Sequence, residues 1–549
     1  MYLVRIKYLF FLTIFFVGFF IYKDFGISWD EKISRNYGLV SGNYILKKIL
    51  PEKNYIQFYS KIVSKQTSIK NVNKKNIPDL HFYVDRAYGV AFELPVTFFE
   101  IIFNLKDNDI YYFRHFASFF LFFISLIFFF KIIKNRTNSD LYGLLGCSLI
   151  IVHPHIFSHS FFNSKDIPLM SFMIISLYFG FKFISRQNIK YAILFSFFTA
   201  LAFSTRIIGI IILPCLLFYF FFNINKKNKI KFVYFSLIIL FITFLFGIIT
   251  WPFLWEDPII NFKYALNYMS HHPWSGEVLF FGERIGAKNL PWYYIFIMFL
   301  FTTPIFIIFL ILLSFLYFFY ETFYQIKFNK LHIKFFEDFF ILCIIFIPIF
   351  VAIVSKATIY DSWRHFFFIY PFIIFFIVNF LNKIKKYKYF HNLKYLFIGF
   401  IIINIFYYFI WSIKTHPHQY IYYNNLYSNK TVAYFEKDYW GVSDKTLINK
   451  LIQIKPEGKI YFDYQGSNFN LSMEIVDKKN KDRFIYVGKN QNYQGLMYND
   501  GKTRYKGEYY IFVLNRWDNS LEYHSKNSKK ILEVEIDGIP INGLYQVKM

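Results

Sequence analysis

Long apolar segments recur between residues 1 and 413, and they restrict the chain to a small set of folds. Hydrophobic residues make up 56% of the 549 residues, and Phe, Trp and Tyr alone make up 24%. A water-soluble domain does not reach this content, whereas a stretch of about 20 apolar residues is enough to cross a bilayer as a helix. The sequence therefore predicts a polytopic α-helical membrane protein.

The apolar segments predict about eleven transmembrane helices. They lie near residues 8–22, 114–133, 140–156, 167–184, 190–204, 207–223, 232–250, 294–320, 338–355, 366–382 and 395–413. No small-residue cleavage site follows the first segment, so we expect a retained helix rather than a removed signal peptide. One broken helix is an alternative to the two short ones at 190–204 and 207–223.

The Lys and Arg content of short loops predicts the orientation in the membrane. Five loops are rich in these residues: 131–136, 182–190, 226–231, 327–334 and 383–388. All five loops lie on the cytoplasmic side only if the apolar segment 88–105 does not cross the membrane. Pro95, Glu93 and Glu100 in this segment favour a helix that lies at the membrane interface. This topology predicts a cytoplasmic N-terminus in a bacterial inner membrane, and external loops at about 23–113 and 251–293.

The composition changes to mixed polar sequence after about residue 414. Ser443 fits the start of a helix running to Leu451, and residues 460–462, 509–514 and 531–536 resemble strands. We therefore expect a transmembrane catalytic domain, 1–413, followed by a small extracytoplasmic α/β domain, 414–549. The proposed catalytic acids all precede that second domain, so we expect its removal to leave the membrane region folded.

Charge and cysteine content indicate neither a nucleic-acid-binding protein nor a disulfide-rich protein. The formal net charge of +26 accompanies a general excess of Lys, Asn, Ile and Phe, so we expect no nucleic-acid partner. Cys147, Cys215 and Cys343 all lie in apolar runs, where cysteine behaves as a small hydrophobic residue. No disulfide framework is expected.

Unusual polar residues gather on the external side of this topology. They are Asp30-Glu31, Asp85-Arg86, residues 153–166, Arg206, Glu256-Asp257, His271-His272, Glu283-Arg284 and residues 361–365. Charge at a membrane boundary is costly and marks function more often than chance placement. Clustering on one face predicts a single composite site, with the solvated start of a loop as the alternative for Asp30-Glu31.

The residue types in this cluster suit transfer chemistry on a lipid-linked substrate. Such an enzyme needs a carboxylate to accept a proton from a hydroxyl group, and cations to hold the departing phosphate. Asp30 fits the first role. Candidates for the second are Arg86, Lys165, Arg284, Arg364 and His365. Arg364 is the favoured clamp because guanidinium matches phosphate oxygens, the alternative being contact with lipid headgroups.

Other polar residues are secondary candidates. Arg206 would lie at membrane depth and needs an anionic partner, either a phosphate or an acid such as Asp166. His271 and Glu283 are candidates for substrate contact from the roof of the cavity. The spacing of His153, His155 and His159 permits a metal site, but packing is favoured because no Cys or firm carboxylate accompanies them. No cofactor is certain, and a divalent metal ion remains an alternative.

Several motifs occur in a fixed order along the membrane region. They are Trp29-Asp30-Glu31, YGVAFE at 88–93, FFNSKDIP at 161–168, WPFLWEDP at 251–258, PWYY at 291–294 and YDSWRH at 360–365. In these residues the chain resembles the GT-C glycosyltransferases, and specifically bacterial relatives of the protein O-mannosyltransferases, glycosyltransferase family 39. The segments YYNN at 422–425 and DYWG at 438–441 resemble the ending of one bacterial subgroup.

The resemblance implies an inverting transferase that takes one sugar from a polyprenyl-phosphate donor on the outer face of the membrane. It implies that Asp30 is the base, and that Glu31 raises its basicity or helps to bind the acceptor or a metal. Asp166 matches an acid whose role in this superfamily varies between metal binding and substrate positioning. The chain lacks the large inserted domain of eukaryotic members, so the acceptor is a glycan, a lipid or a protein.

Two other functions remain as alternatives. A transporter would place its charges inside broken helices near the middle of the membrane, whereas most acids here lie in external loops. A membrane protein that processes the lipid carrier without transferring sugar is the nearer alternative.

Overall fold

The computed structural model describes residues 2–64, 77–106, 108–224, 228–270, 272–328, 333–385, 394–426, 434–489, 496–498, 505–517, 521, 524 and 528–548. Within these ranges the chain is mostly helical up to residue 414 and forms a mixed sheet after it.

The helices of the first part are α1 (Tyr2–Ile21), α2 (Trp29–Ile49), α3 (Glu52–Ser64), α4 (Glu93–Ile102), α5 (Asn108–Thr137), α6 (Asp140–Ile151), α7 (Pro154–Phe162), α8 (Asp166–Arg186), α9 (Ile189–Phe203), α10 (Ile212–Asn223), α11 (Lys229–Ile249), α12 (Pro258–Ser270), α13 (Tyr294–Thr302), α14 (Ile305–Lys327), α15 (Ile333–Val354), α16 (Tyr370–Ile384) and α17 (Lys394–Lys414). A hairpin of β1 (Glu277–Phe280) and β2 (Glu283–Gly286) follows α12.

Seven helices in the described residues are long and apolar enough to cross a membrane. The number is eight if α6 and α7, which meet at an angle of 74°, form one broken span. A polytopic helical membrane protein is thereby confirmed, but the predicted count of eleven is not. The segments at 190–204 and 207–223 form short apolar helices, α9 and α10.

The predicted helix at 294–320 is two helices, α13 and α14. The break falls at Thr303-Pro304, because proline has no backbone N–H to donate and its ring disfavours a helical conformation in the preceding residue. Thr303 accordingly has an extended backbone, and Pro304 caps the start of α14.

Two sets of charged residues mark the two ends of α5. Near its start, Arg114 and His115 contact acids of the first loop. Near its end, Arg136 contacts Glu337 and Asp338 of α15, with Nη–carboxylate oxygen distances of 2.9 and 2.5 Å. The end of α5 and the start of α15, which adjoin segments predicted to be cytoplasmic from their Lys and Arg content, thus meet.

The segment predicted as an interfacial helix at 88–105 is helical only over α4. Phe98, Phe99 and Ile102 on its outer face are about half exposed, whereas Glu93 and Glu100 are buried. The two acids therefore face the protein interior. They turn inward because buried arginines of the neighbouring helices require anionic partners.

A buried ionic cluster joins α2, α4 and α5. Arg35 of α2 contacts Glu100 through Nη2 at 2.5 Å and Nε at 3.0 Å, and both side chains are about 95% buried or more. Arg114 of α5 contacts Glu93, and its Nη1 lies 3.8 Å from Glu100. This cluster fixes the position of α2, whose first turn carries Asp30.

The C-terminal part contains α18 (Asp444–Ile454), α19 (Phe469–Ser472), α20 (Lys478–Lys481) and β3 (Ile460–Gln465), β4 (Phe484–Lys489), β5 (Leu496–Tyr498), β6 (Tyr509–Leu514), β7 (Lys529–Ile536) and β8 (Ile539–Val547). The strand order is β5-β4-β3-β6-β8-β7. β3 pairs in parallel with β4 and β6, and the outer pairs are antiparallel. The small α/β domain expected from the sequence is therefore present.

This domain holds the chain segment that precedes α2. Lys445 Nζ donates to the carbonyl oxygen of Phe25 at 3.3 Å, and Asn468 Nδ2 donates to that of Ile27 at 3.3 Å. Glu474 also pairs with Lys32 of α2 at 3.7 Å. Removal of the domain would leave these buried backbone groups without these partners. That the membrane region folds without the domain stays a prediction.

We expect Glu100→Gln to lower the free energy of unfolding by about 3–5 kcal/mol, because Arg35 would keep a buried charge without its partner. Chemical denaturation of the detergent-solubilised protein, followed by circular dichroism, measures the change. The control is Glu508→Gln, which removes an exposed pair with Lys548 and should leave stability nearly unchanged, because exposed ion pairs contribute little. Equal small effects would contradict a structural role for the cluster.

Candidate active site

Asp30 lies in the first turn of α2, and the local sequence decides where its carboxylate points. The backbone N–H of Ser28 donates to Glu31 Oε2 at 2.6 Å, as in a capping box. Glu31 Oε1 also lies 2.8 Å from His115 Nε2 of α5. Adjacent residues of a helix point in different directions, so Asp30 is left to face the neighbouring loop.

Glu31 therefore has contacts different from those implied by the resemblance. Its carboxylate is 2% exposed and is engaged by the helix start and by His115. These contacts fix the first turn of α2, and they turn the carboxylate away from the neighbours of Asp30.

Asp30 has two cationic neighbours. Its Oδ2 lies 3.6 Å from Arg364 Nη1 and 3.9 Å from Lys165 Nζ. The side chain is 23% exposed, whereas that of Asp166 is 1% exposed. Asp30 is therefore more accessible to an incoming molecule than Asp166 is.

Asp166 lies at the start of α8 and pairs with two arginines. Its Oδ1 lies 2.8 Å from Arg206 Nη2, and its Oδ2 lies 3.1 Å from Arg364 Nη1. Asn163 donates to the same carboxylate at 2.9 Å and accepts from the backbone N–H of Asp166. Of the two partners expected for Arg206, a phosphate or an acid, the structure contains the acid Asp166. Asp166 thus joins three separate parts of the chain.

Arg364 is enclosed by charge on its edge and by aromatic rings on its faces. Asp361 Oδ2 lies 3.1 Å from its Nε. The guanidinium carbon lies 4.8 Å from the ring centre of Tyr360, 5.8 Å from that of Tyr439 and 4.7 Å from that of Trp440. Stacked rings stabilise a cation and leave the N–H groups free to donate in their plane.

The backbone beside Arg364 is strained. Asp361 and Ser362 have φ values of 56° and 61°, in the left-handed region that residues other than glycine rarely adopt. The N–H of Ser362 donates to the hydroxyl of Tyr294 at 3.0 Å and stabilises this turn. Burial raises the pKa of Asp361 to about 7, so its pairing with Arg364 depends on pH near neutrality.

Lys165 lies over two stacked tyrosines. The rings of Tyr37 and Tyr88 are 5.2 Å apart, and Lys165 Nζ lies 5.0 and 4.8 Å from their centres. The Tyr88 hydroxyl is 3.2 Å from His272 Nδ1, and the Tyr268 hydroxyl donates to Asp85 at 3.4 Å. These side chains form an aromatic wall beside Asp30.

The nearby cations set the charge state of Asp30. Burial by itself raises the pKa of this carboxyl, but the positive charges of Lys165, Arg364 and Arg206 outweigh it and lower the pKa below its ordinary value. Asp30 is therefore a carboxylate at neutral pH and is able to accept a proton. Burial lowers the pKa of His272 to about 4, which keeps that ring neutral.

Some predicted site residues are not brought to Asp30. Arg86 donates to the Tyr264 hydroxyl at 3.0 Å and stacks on that ring. Glu283 and Arg284 are exposed on the β1–β2 hairpin, where Arg284 lies 4.9 Å from the ring centre of Trp517. His365 packs edge-on against Tyr360 at 4.9 Å. His271 lies outside the described residues.

His153 precedes α7, and His155 and His159 lie on it. All three histidines contact backbone or neutral groups. His155 Nε2 is 2.8 Å from the carbonyl oxygen of Tyr422, and His159 Nδ1 is 3.0 Å from Asn163 Nδ2. His153 Nε2 is 3.5 Å from the Thr303 hydroxyl. Within the described ranges, no group of three His, Cys, Asp or Glu residues is arranged to hold a metal ion.

Sequence reasoning did not single out the aromatic residues of the site. Tyr37 lies two turns along α2 from Asp30, and nothing in its local pattern marks it. Tyr439 and Trp440 were quoted only as part of a motif in the C-terminal domain. Their position between the buried Asp438 and Gly441 was the one available signal of a rigid turn.

Comparison with known proteins gives one family match. Residues 97–251 match the family described as dolichyl-phosphate-mannose-protein mannosyltransferase. The matched segment includes Asp166 and Arg206 but not Asp30 or Arg364. No curated protein matches the chain.

Two solved structures of ArnT from Cupriavidus metallidurans align with the chain at 9% identity. One has undecaprenyl phosphate bound, and its alignment covers 97% of each chain with a TM-score of 0.44. The other is in the apo state, and its alignment covers 98% of each chain with a TM-score of 0.47.

The family match confirms, over residues 97–251, the resemblance inferred from the sequence motifs. Over residues 97–251 the chain is therefore similar to this mannosyltransferase family.

Proposed function

We propose that the protein is an inverting glycosyltransferase that moves a sugar from a polyprenyl-phosphate donor to an acceptor hydroxyl on the outer face of a bacterial plasma membrane. The observation that carries this proposal is the arrangement of Asp30, a partly exposed carboxylate, beside Lys165 and Arg364. One group accepts a proton and the others bind an anion, which are the two requirements of this reaction. The family match over residues 97–251 supports it.

The reaction follows from the positions of these groups. The acceptor hydroxyl gives its proton to Asp30 as its oxygen attacks the anomeric carbon of the donor sugar. The bond between that carbon and the phosphate oxygen breaks on the opposite face, so the configuration inverts. The polyprenyl phosphate leaves with the electron pair, and the positive charges of Arg364, Arg206 and Lys165 stabilise the developing anion.

Arg364 is suited to bind phosphate in this arrangement. Its Nη1 and Nε face Asp166 and Asp361, while Nη2 has no hydrogen-bond partner within the described residues. A buried N–H without a partner costs free energy that an incoming oxygen would recover. We assign Asp166 the role of holding Arg206 and Arg364 in place for the phosphate.

The direct test uses purified protein and a polyprenyl-phosphate sugar labelled in the sugar, with a cell-envelope extract as the source of glycan, lipid or protein acceptors. We expect polyprenyl phosphate to be released and the label to appear in the acceptor fraction. Asp30→Asn should abolish transfer while donor affinity stays within a few-fold, because the amide keeps the shape but cannot accept a proton. Transfer above about a tenth of the wild-type rate would exclude Asp30 as the base.

The same assay separates the alternatives. Release of free labelled sugar without transfer would indicate a protein that only processes the lipid carrier. If the protein is reconstituted in vesicles and the donor stays chemically intact, both the glycosyltransferase and the carrier-processing enzyme are excluded. Movement of the intact donor across the vesicle membrane would then indicate a transporter.

We expect Lys165→Met to move the acidic limb of the pH profile of kcat/KM to higher pH. Lys165 is the largest of the charges that lower the pKa of Asp30, so without it the carboxyl takes up its proton at a higher pH and the base is lost sooner on acidification. Arg86→Met is the matched control, because Arg86 contacts Tyr264; its limb should stay in place. An unmoved limb in Lys165→Met would mean that the limb does not report Asp30.

We expect Arg364→Ala to weaken binding of the polyprenyl-phosphate donor by about 2–4 kcal/mol, the magnitude of a lost buried contact between charges. Arg364→Lys should recover only part of the affinity, because an ammonium group lacks the planar set of N–H donors. Equilibrium binding of the donor in detergent measures both. Unchanged affinity in both variants would remove Arg364 from the donor site.

A further inference from the structure

Tyr439 and Trp440 belong to the C-terminal domain, yet they contact a charged group of the candidate active site. The Trp440 ring centre lies 4.7 Å from the guanidinium carbon of Arg364, and the two residues are 76 positions apart in the chain. Trp440 is 2% exposed. The domain therefore forms one wall of the pocket that contains Asp30, Asp166 and Arg364.

A rigid turn holds these two rings. The buried carboxylate of Asp438 accepts from the N–H of Gly441 at 2.8 Å, and from the N–H and hydroxyl of Ser443 at 3.2 and 2.5 Å. Gly441 has a φ of +67°, and a Cβ there would lie 2.9 Å from Cβ of Asn468, so glycine is required by conformation and by space. Asn542 of β8 donates to the Ser443 hydroxyl at 2.9 Å and ties the turn to the sheet.

Each ring also has a partner on its other side. The Trp440 ring packs against Phe162 and His159 of α7, with centres 5.6 and 5.4 Å apart. Tyr439 lies between Arg364 and Arg516, whose guanidinium carbon is 4.4 Å from its ring centre. The rings therefore have little freedom to move when the domain is docked.

The contact with Trp440 restricts the orientation of the Arg364 guanidinium. Arginine has a long flexible stem, and fixing its plane removes much of the entropy that it would lose on binding a phosphate. Rings on the faces of the group also block competing contacts there and direct the N–H donors along the edge. The edge faces Asp166, Asp361 and the region of Asp30.

We propose that Trp440 is a positioning residue for Arg364, and that donor binding depends on docking of the C-terminal domain onto the membrane region. This inference rests on the proposed function. It assigns the C-terminal domain a role inside the candidate active site.

The test measures the affinity of purified full-length variants for undecaprenyl phosphate in detergent. Trp440→Ala should weaken binding by roughly 3- to 30-fold, the range of a desolvated cation–π contact. Trp440→Phe should retain most of the affinity, because it keeps a ring over the guanidinium. The control is Tyr434→Ala, which removes a 40%-exposed ring that packs near Gly282 in the same segment, and it should bind like wild type.

A double-mutant cycle separates positioning from a general structural effect. If Trp440 acts through Arg364, Trp440→Ala should cause no further loss in the Arg364→Ala background. Additive losses would overturn the inference. An effect of Arg364→Ala without one of Trp440→Ala would also overturn it while leaving the proposed function intact, whereas no effect of Arg364→Ala would reject the donor site itself.

A second variant tests docking without altering any group of the site. A Cβ added at Gly26 would overlap the carbonyl oxygen of Val442, so Gly26→Ala should push the domain away from the segment before α2. We expect it to weaken undecaprenyl phosphate binding at least as much as Trp440→Ala does. Gly399→Ala is the matched control, because nothing lies within 4 Å of its added Cβ. Wild-type affinity in a folded Gly26→Ala protein would contradict the dependence on docking.

Discussion

The pairing of the Asp166 carboxylate with Arg206 and Arg364 is the interaction around which the rest of the pocket is arranged. Each of these groups lies at the end of an apolar helix, where an unpaired charge would cost several kcal/mol. Since none is tolerated alone, the start of α8, the turn after α9 and the turn before α16 must meet at one place. Asp30 then enters a region that already carries net positive charge, which explains why its pKa is lowered despite burial.

The first loop depends on a second set of buried charges. Arg35 with Glu100, and Arg114 with Glu93, connect α2 to α4 and α5. A cluster of this kind adds little net stability over an apolar core but strongly penalises any arrangement that separates its members. The cluster therefore fixes the position of Asp30, because Arg35 lies only about one and a half turns further along the same helix, α2. The amphipathic α4 thereby links a surface with half-exposed Phe98 and Phe99 to the helix that bears the proposed base.

The C-terminal domain contributes rings and hydrogen bonds rather than catalytic charge. Lys445 and Asn468 hold the backbone just before α2, and Tyr439 and Trp440 cover Arg364. The proposed base and the proposed phosphate clamp are thus both held by one domain. In this arrangement the membrane region supplies the proposed donor site, and the C-terminal domain supplies the rings that cover Arg364.

The sequence by itself determined the class of protein, most of the helices and the small α/β domain, and it singled out the charged residues that the structure brings together around Asp166. Apolar length, Lys and Arg content and strand-like runs are local properties that the chain carries whatever its partners are, and the need of Arg206 for an acid follows from its depth alone. Local sequence favoured Asp30 as the base but did not show where the Glu31 carboxylate points, because its partner His115 lies on another helix. It also did not reveal that Glu93 and Glu100 face arginines, or that Trp440 covers Arg364. Those contacts join residues up to 76 positions apart, and only the tertiary structure decides them, because burial of charge and stacking of rings depend on which helices pack together.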